Sequence, residues 1–177
     1  HTETVTVETT LTDADGKVIK RTSGKLSLKS GEKKIIRQQI EVKSPKLWSP
    51  DAPYLYKVQS RIKKGNQSID GGITRIRIRR AEFRGKDGFW LNGKPFVQLV
   101  GANRHQDFAY VGNALPNSQQ WRDAKRLRDA GCTIIRVAHY PQDPSFMDAC
   151  DELGMFVIVA TPGWQYWNKD VKFGELV

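Results

Sequence analysis

Two short stretches hold the residues best suited to chemistry. Gly101-Ala-Asn-Arg-His105 groups Asn103, Arg104 and His105, and Ile134-Ile-Arg-Val-Ala-His-Tyr-Pro141 groups Arg136 and His139. Each is an apolar run ending in Arg and His, and each is followed by a helical pattern. Such side chains donate hydrogen bonds suited to hydroxyl groups. A third apolar run leads to Thr161 and Trp164, where the indole, or the nearby ring of Tyr166, can stack on a sugar face. Singly, each residue has a plainer role: an Arg pairs with a carboxylate, a His bonds to backbone, a Trp packs. The repetition of Arg with His at equivalent points of successive units favours a site.

The acids are fewer. Asp107 follows the first stretch, and Asp151 and Glu152 fall on a helical pattern. No two carboxylates are placed for acid–base work, so no catalytic residue is assigned. His105 and His139 lack a third ligand at suitable spacing, so no metal site is expected, and nothing suggests another cofactor. Cys132 and Cys150 have no CxxC spacing and read as small buried hydrophobes rather than a disulfide.

The elements that must position these groups follow from periodicity. Val97–Gly101, Thr133–Ala138 and Met155–Ala160 read as buried strands. Between the first two, Trp121, Ala124, Leu127 and Ala130 recur at helical spacing, with Asn117 or Ser118 as cap and Gly131 as stop. Between the last two, Asp143-Pro144 is a cap followed by Pro at the first helical position, and Phe146, Cys150 and Leu153 share a face ending at Gly154. A β-α-β-α-β order with apolar strands implies a parallel sheet wrapped by helices. Parallel strands end at one rim, which brings the polar groups together. Ahead of these units, Asn92-Gly93 between Phe89-Trp-Leu and Lys-Pro-Phe96 is a hairpin signal.

The first half reads differently. Val5 and Val7, Leu26 and Leu28, Ile36 with Ile40 and Val42, Tyr56 with Val58 and Ile62, and Ile76 with Ile78 suggest half-buried antiparallel strands. Turn signals separate them at Asp13–Gly16, Ser30-Gly31, Lys64–Asn66 and Gly71-Gly72. A small sandwich is expected. Pro45, Pro50 and Pro53 impose an extended connection, whose Trp48 is expected to plug a sandwich edge or a domain interface.

Charge divides the same way. Residues 1–84 carry 19 Lys and Arg against 9 Asp and Glu, whereas residues 85–177 carry 10 of each. Two domains are therefore expected, 1–84 and 85–177. Arg75, Arg77 and Arg79, two apart, read as the solvated face of a strand, with a polyanion site as the rival. Nothing favours nucleic acid. No apolar run approaches the ~20 residues a membrane helix needs, and no signal peptide is visible.

Five motifs in order resemble glycoside hydrolase family 2, the β-galactosidases, β-mannosidases and β-glucuronidases. Pro45-Lys-Leu-Trp-Ser-Pro50 with Pro53-Tyr-Leu-Tyr56 is similar to the Trp-x-Pro…Pro-x-Leu-Tyr stretch of the family's immunoglobulin-like domain. Phe89-Trp-Leu-Asn-Gly-Lys-Pro95 resembles the hairpin that opens its barrel. Gly101–His105, Arg136–Pro141 and Cys150-Asp-Glu-Leu-Gly154 resemble Gly-x-Asn-Arg-His, Arg-x-Ser-His-Tyr-Pro and Cys-Asp-x-x-Gly. Ala138 replaces the usual Ser, and Ala160-Thr-Pro-Gly-Trp164 replaces Asp-Glu-Ala-Asn, which removes an acid from the rim.

The resemblance implies an immunoglobulin-like β-sandwich lacking its first strands, then the first three βα units of a TIM barrel. It implies a retaining glycosidase acting on β-linked sugars, with Asn103, Arg104, His105, Arg136, His139 and Trp164 on the sugar subsite. Its acid–base and nucleophile glutamates are expected beyond Val177, so this chain alone is expected to be inactive. A periplasmic or extracellular setting suits a polysaccharide-degrading relative. An open three-stranded sheet is expected to self-associate. The residues alone also leave open a non-catalytic carbohydrate-binding or scaffolding module.

Overall fold

The computed structural model describes residues 1–96 and 98–161. The chain forms two compact units. The first comprises His1–Leu47 and Tyr54–Ile78; the second comprises Trp48–Pro53 and the chain from Arg79 onward.

In the first unit, β1 (Thr2–Thr12), β2 (Val18–Lys29), β3 (Tyr56–Lys64) and β4 (Gln67–Ile76) form an antiparallel sheet in the order β2-β1-β3-β4. Asp13 makes the first turn, its carboxylate accepting from the backbone N–H groups of Asp15 and Lys17 at 3.1 and 2.8 Å. Alternation then sorts the faces. Val7 lies opposite Ile62, Val5 opposite Leu26 and Leu11 opposite Val58. Val5, Leu11 and Tyr56 are buried.

Residues 33–43 form no strand, contrary to the reading of Ile36, Ile40 and Val42. This segment lies over the apolar face instead. Ile36 sits where a side chain on Gly24 would be, and the Gln38 amide donates to the Val7 carbonyl at 3.0 Å. Two further expectations change. Gly71-Gly72 is no turn but the middle of β4, where Gly71 lies too close to the Ser60 carbonyl for a Cβ. Arg75 lies in β4, whereas Arg77 and Arg79 follow its end.

The second unit begins with a small antiparallel sheet, β5 (Ala81–Phe83), β6 (Phe89–Leu91) and β7 (Lys94–Pro95). Asn92 and Gly93, with φ of 54° and 80°, make the expected β6–β7 turn. Next come β8 (Gly101–Arg104), α1 (Asn117–Asp129), β9 (Ile134–Val137), α2 (Pro144–Leu153) and β10 (Phe156–Val159). The three long-range strands are parallel, in the order β10-β9-β8. Ala124, Ile135, Val137, Phe146, Ala149, Cys150 and Met155 fill the layer between this sheet and the helices. Asp143 caps α2 through Ser145 N at 2.7 Å. Pro116 occupies the cap of α1, so neither Asn117 nor Ser118 does.

Trp48 is fully buried in this second unit, not at a sandwich edge. Its ring packs edge-on to Phe156 at 5.2 Å, and Phe89 and Phe96 meet Phe156 at 5.4 and 5.6 Å. The Trp48 indole N–H donates to the Asp151 carbonyl at 2.9 Å, and the Asn92 amide donates to the Trp48 carbonyl at 3.0 Å. Phe156 opens β10, so this aromatic cluster closes the N-terminal end of the parallel strands. Their C-terminal end is left for polar groups.

Candidate functional site

Register decides which side chains share the inner face of the parallel sheet. Asn103 lies beside Arg136, and Arg136 beside Ile158. A shallow depression on this face is lined by Leu99, Gly101, Asn103, Ile134, Arg136 and Ile158. Gly101 admits β9 at this point, because a Cβ there would overlap the Ile134 carbonyl oxygen.

Beyond the strand ends, an Arg136 guanidinium N–H lies 3.1 Å from His139 Nδ1. A guanidinium only donates, so Nδ1 accepts and the ring proton sits on Nε2. The His139 ring stands edge-on to His105, centroids 5.4 Å apart, and Tyr140 lies 6.3 Å from His105. The peptide between Ala138 and His139 is cis. Asn103, Arg136, His139 and His105 thus form one contiguous polar group at the ends of β8 and β9. A donor imidazole, a guanidinium and an amide together suit a polyhydroxylated ligand.

Arg104 lies elsewhere. It belongs to β8 rather than following it, because β8 starts at Gly101, where the apolar run was expected to end. Alternation sends its side chain into the helix layer, where the residue is 6% exposed. Its guanidinium donates to Gln142 Oε1 at 2.7 Å, to Gln120 Oε1 at 2.9 Å and to Asp123 at 2.8 Å, and stacks 4.0 Å above the Phe146 ring. The Gln142 amide in turn donates to the Arg104 carbonyl. Alongside, Gln106 accepts from Asp143 N at 2.7 Å, and its own N–H donates to the Tyr140 hydroxyl at 3.1 Å. His105 is therefore held between two residues that are each bonded to the β9–α2 loop.

Gln106, Gln120, Asp123 and Gln142 escaped the sequence reading. Gln120 left a signal: it extends the buried stripe of Ala124 and Leu127, whereas Trp121 is 42% exposed. A polar residue on an apolar stripe implies a buried partner. Thr161 is exposed, and Trp164 lies outside the described residues. Asp151 and Glu152 lie near the C-terminus of α2, beside the aromatic cluster and at the opposite end of the sheet from the polar group. Among the described residues, no three His, Cys, Asp or Glu gather as metal ligands, and no helix is long and apolar enough to cross a membrane.

Comparison with known proteins defines the class. Residues 1–79 match the model of glycosyl hydrolases family 2, and residues 82–171 match that family's TIM barrel domain. The chain belongs to glycosyl hydrolase family 2: an immunoglobulin-like sandwich domain and the start of the barrel. It is 43% identical over 140 residues to a β-galactosidase of Thermoanaerobacter pseudethanolicus, covering 78% of this chain and 19% of the relative. It is 36% identical over 172 residues to a putative β-glucuronidase of Formosa agariphila, covering 94% of this chain and 20% of that protein. The crystal structure of a family 2 member from Bacteroides cellulosilyticus superposes with a TM-score of 0.83 at 32% identity, over 91% of this chain and 22% of that one. The chain spans about a fifth of the length of the curated relatives it matches.

Proposed function

We propose that this chain supplies the first strand ends of the sugar-binding rim of a retaining glycosidase acting on β-linked sugars, in the manner of a β-galactosidase. One observation carries the reading: Asn103, Arg136, His139 and His105 converge at the C-terminal ends of adjacent parallel strands. Their role is to bind sugar hydroxyls and to hold the ring as it gains oxocarbenium character. Hydrogen bonds that strengthen on the way to that state lower the barrier by several kcal/mol. Arg104 serves as a positioning residue, tying β8 to both helices. Trp164 is assigned to stacking on the sugar face.

Bond cleavage itself needs two carboxyl groups about 5–5.5 Å apart, one protonating the leaving oxygen and one attacking the anomeric carbon. The family pattern places both glutamates after the fourth and a later barrel strand. The 177-residue chain alone is therefore inactive. A longer product of the same gene that includes those strands is expected to hydrolyse an aryl β-galactoside. In it, His139→Ala should lower kcat/KM about 10²-fold or more, the cost of removing one well-placed donor. Hydrolysis by the purified 177-residue chain, or full activity of the His139→Ala enzyme, overturns the reading.

A further inference from the structure

The solvent-side face of the first unit's sheet has a pattern that the sugar rim does not use. Along β1, Thr2, Thr4, Thr6, Thr10 and Thr12 point to this face, interrupted only by Glu8. Six of the ten residues paired beside this row are cationic, the other four being Ser23, Ser27, Val18 and Gln59. Arg21 lies opposite Thr10 and Lys25 opposite Thr6 on β2; Lys57 lies opposite Thr12, Arg61 opposite Glu8 and Lys63 opposite Thr6 on β3. Lys63 pairs with Glu8 at 3.2 Å, whereas Arg21, Lys25, Lys57 and Arg61 form no ion pair among the described residues. Two shallow depressions flank this row. One is lined by Glu8, Thr10, Arg21, Ser23 and Arg61, and the other by Arg61, Gly71 and Ile73. Gly71, opposite Arg61 on β4, leaves the space in which the Arg61 stem lies.

We propose that this face docks a linear acidic polysaccharide, with Arg21 and Arg61 as its principal anchors. Side chains two apart on a strand repeat at about 6.8 Å and neighbouring strands at about 4.8 Å, so cations and hydroxyls form a regular grid. Guanidinium forks pair with carboxylates or sulfates, and the threonine row meets sugar hydroxyls. The surface disfavours nucleic acid. It carries no aromatic side chain on which a base can stack, and a four-stranded sheet is too broad to enter a duplex groove.

The test is retention of the 177-residue chain on immobilised polygalacturonate, with neutral galactan and duplex DNA as comparisons. Each variant's fold is checked by circular dichroism. The chain should bind polygalacturonate in a salt-sensitive way and pass through neutral galactan. Arg21→Thr with Arg61→Thr should weaken binding about tenfold or more, since two charge-assisted contacts are lost. Lys33→Thr with Lys43→Thr removes the same charge from outside this face and should change binding less than about twofold. Amide shifts of the unmodified chain on titration with oligogalacturonate should map to β1, β2 and β3, which keeps the test decisive if a variant misfolds. Equal losses in both pairs, equal retention on neutral galactan, tighter binding to DNA, or shifts elsewhere overturn the proposal. No turnover is involved, so the outcome is independent of the function proposed above.

Discussion

Gln142 grips Arg104 at both ends: its carbonyl oxygen accepts from the guanidinium at 2.7 Å, and its amide donates to the Arg104 backbone carbonyl at 2.5 Å. Both residues are buried. This pairing joins the end of β8 to the loop before α2, the two pieces of chain that carry His105 and His139. Replacing Gln142 with Leu leaves a buried guanidinium N–H without its partner, while the Arg104 carbonyl keeps the Ala138 N–H at 3.0 Å. The expected loss is about 1–3 kcal/mol, near the cost of one orphaned buried group. Urea unfolding of the Gln142→Leu chain checks this, and a loss under about 0.5 kcal/mol contradicts the grip.

Gly154 ends α2 with φ of 78°, and a Cβ there would overlap the Pro50 carbonyl oxygen. Gly131 has φ of 90° but open space around its missing Cβ. Gly131→Ala should therefore cost about 1 kcal/mol of backbone strain alone. Gly154→Ala should cost clearly more, because the Trp48–Pro53 segment must also move. Paired thermal melts of the two variants decide it; equal shifts mean that the Pro50 contact does not matter.

Glu82 accepts hydrogen bonds from Arg84 at 2.9 Å and Arg80 at 2.8 Å. The Arg84 bond, helped by the nearby charge of Arg80, holds its carboxyl below the usual carboxylate range. A lowered folded-state value means that the contribution is present above the ordinary carboxylate range and is lost as pH falls through the folded value. Glu82→Gln should flatten the acid side of the stability curve while leaving its shape near neutrality unchanged. Denaturation midpoints measured between neutral pH and about pH 3 test it; an unchanged acid limb refutes it.

Leu99 and Ile158 on the inner face of the parallel sheet are 37% and 51% exposed. The outer edges of β8 and β10 make no strand pairing among the described residues. The 177-residue chain is expected to self-associate through this sheet as concentration rises. Ile158→Lys should reduce the association, and sedimentation velocity reads it directly. A monomer at all concentrations for the unmodified chain counts against this.

What the sequence made legible was local chemistry with one dominant cause. Asn92-Gly93 announced a hairpin because two positive φ values in succession select those residues. Asp143-Pro144 announced a helix start because a carboxylate and a ring closed at φ suit its first turn. The Arg136 and His139 group was legible because an apolar run stops where polarity begins. Errors arose where long-range pairing outweighed local pattern. Gly71-Gly72 looked like a turn, yet packing against Ser60 keeps it in a strand. The start of β8 at Gly101 is set by its register with Ile134, which no local pattern encodes. Arg104 looked like its neighbours, and only the alternation of a correctly registered strand separates it from Asn103 and His105. Its glutamine partners sit 16 and 38 positions away in the chain.

Trp48 gives the molecule a property that its linear order hides. The six residues Trp48–Pro53 lie in the sequence between strands of one unit and belong physically to the other. A gene fusion or recombination joined at residue 79 would thus inherit a barrel half with its aromatic plug missing, exposing Phe156 and leaving the Asp151 carbonyl without its indole donor. The second unit cannot be transplanted by a single cut at its main boundary: an exchange must also carry Trp48–Pro53, or rebuild the plug from new residues.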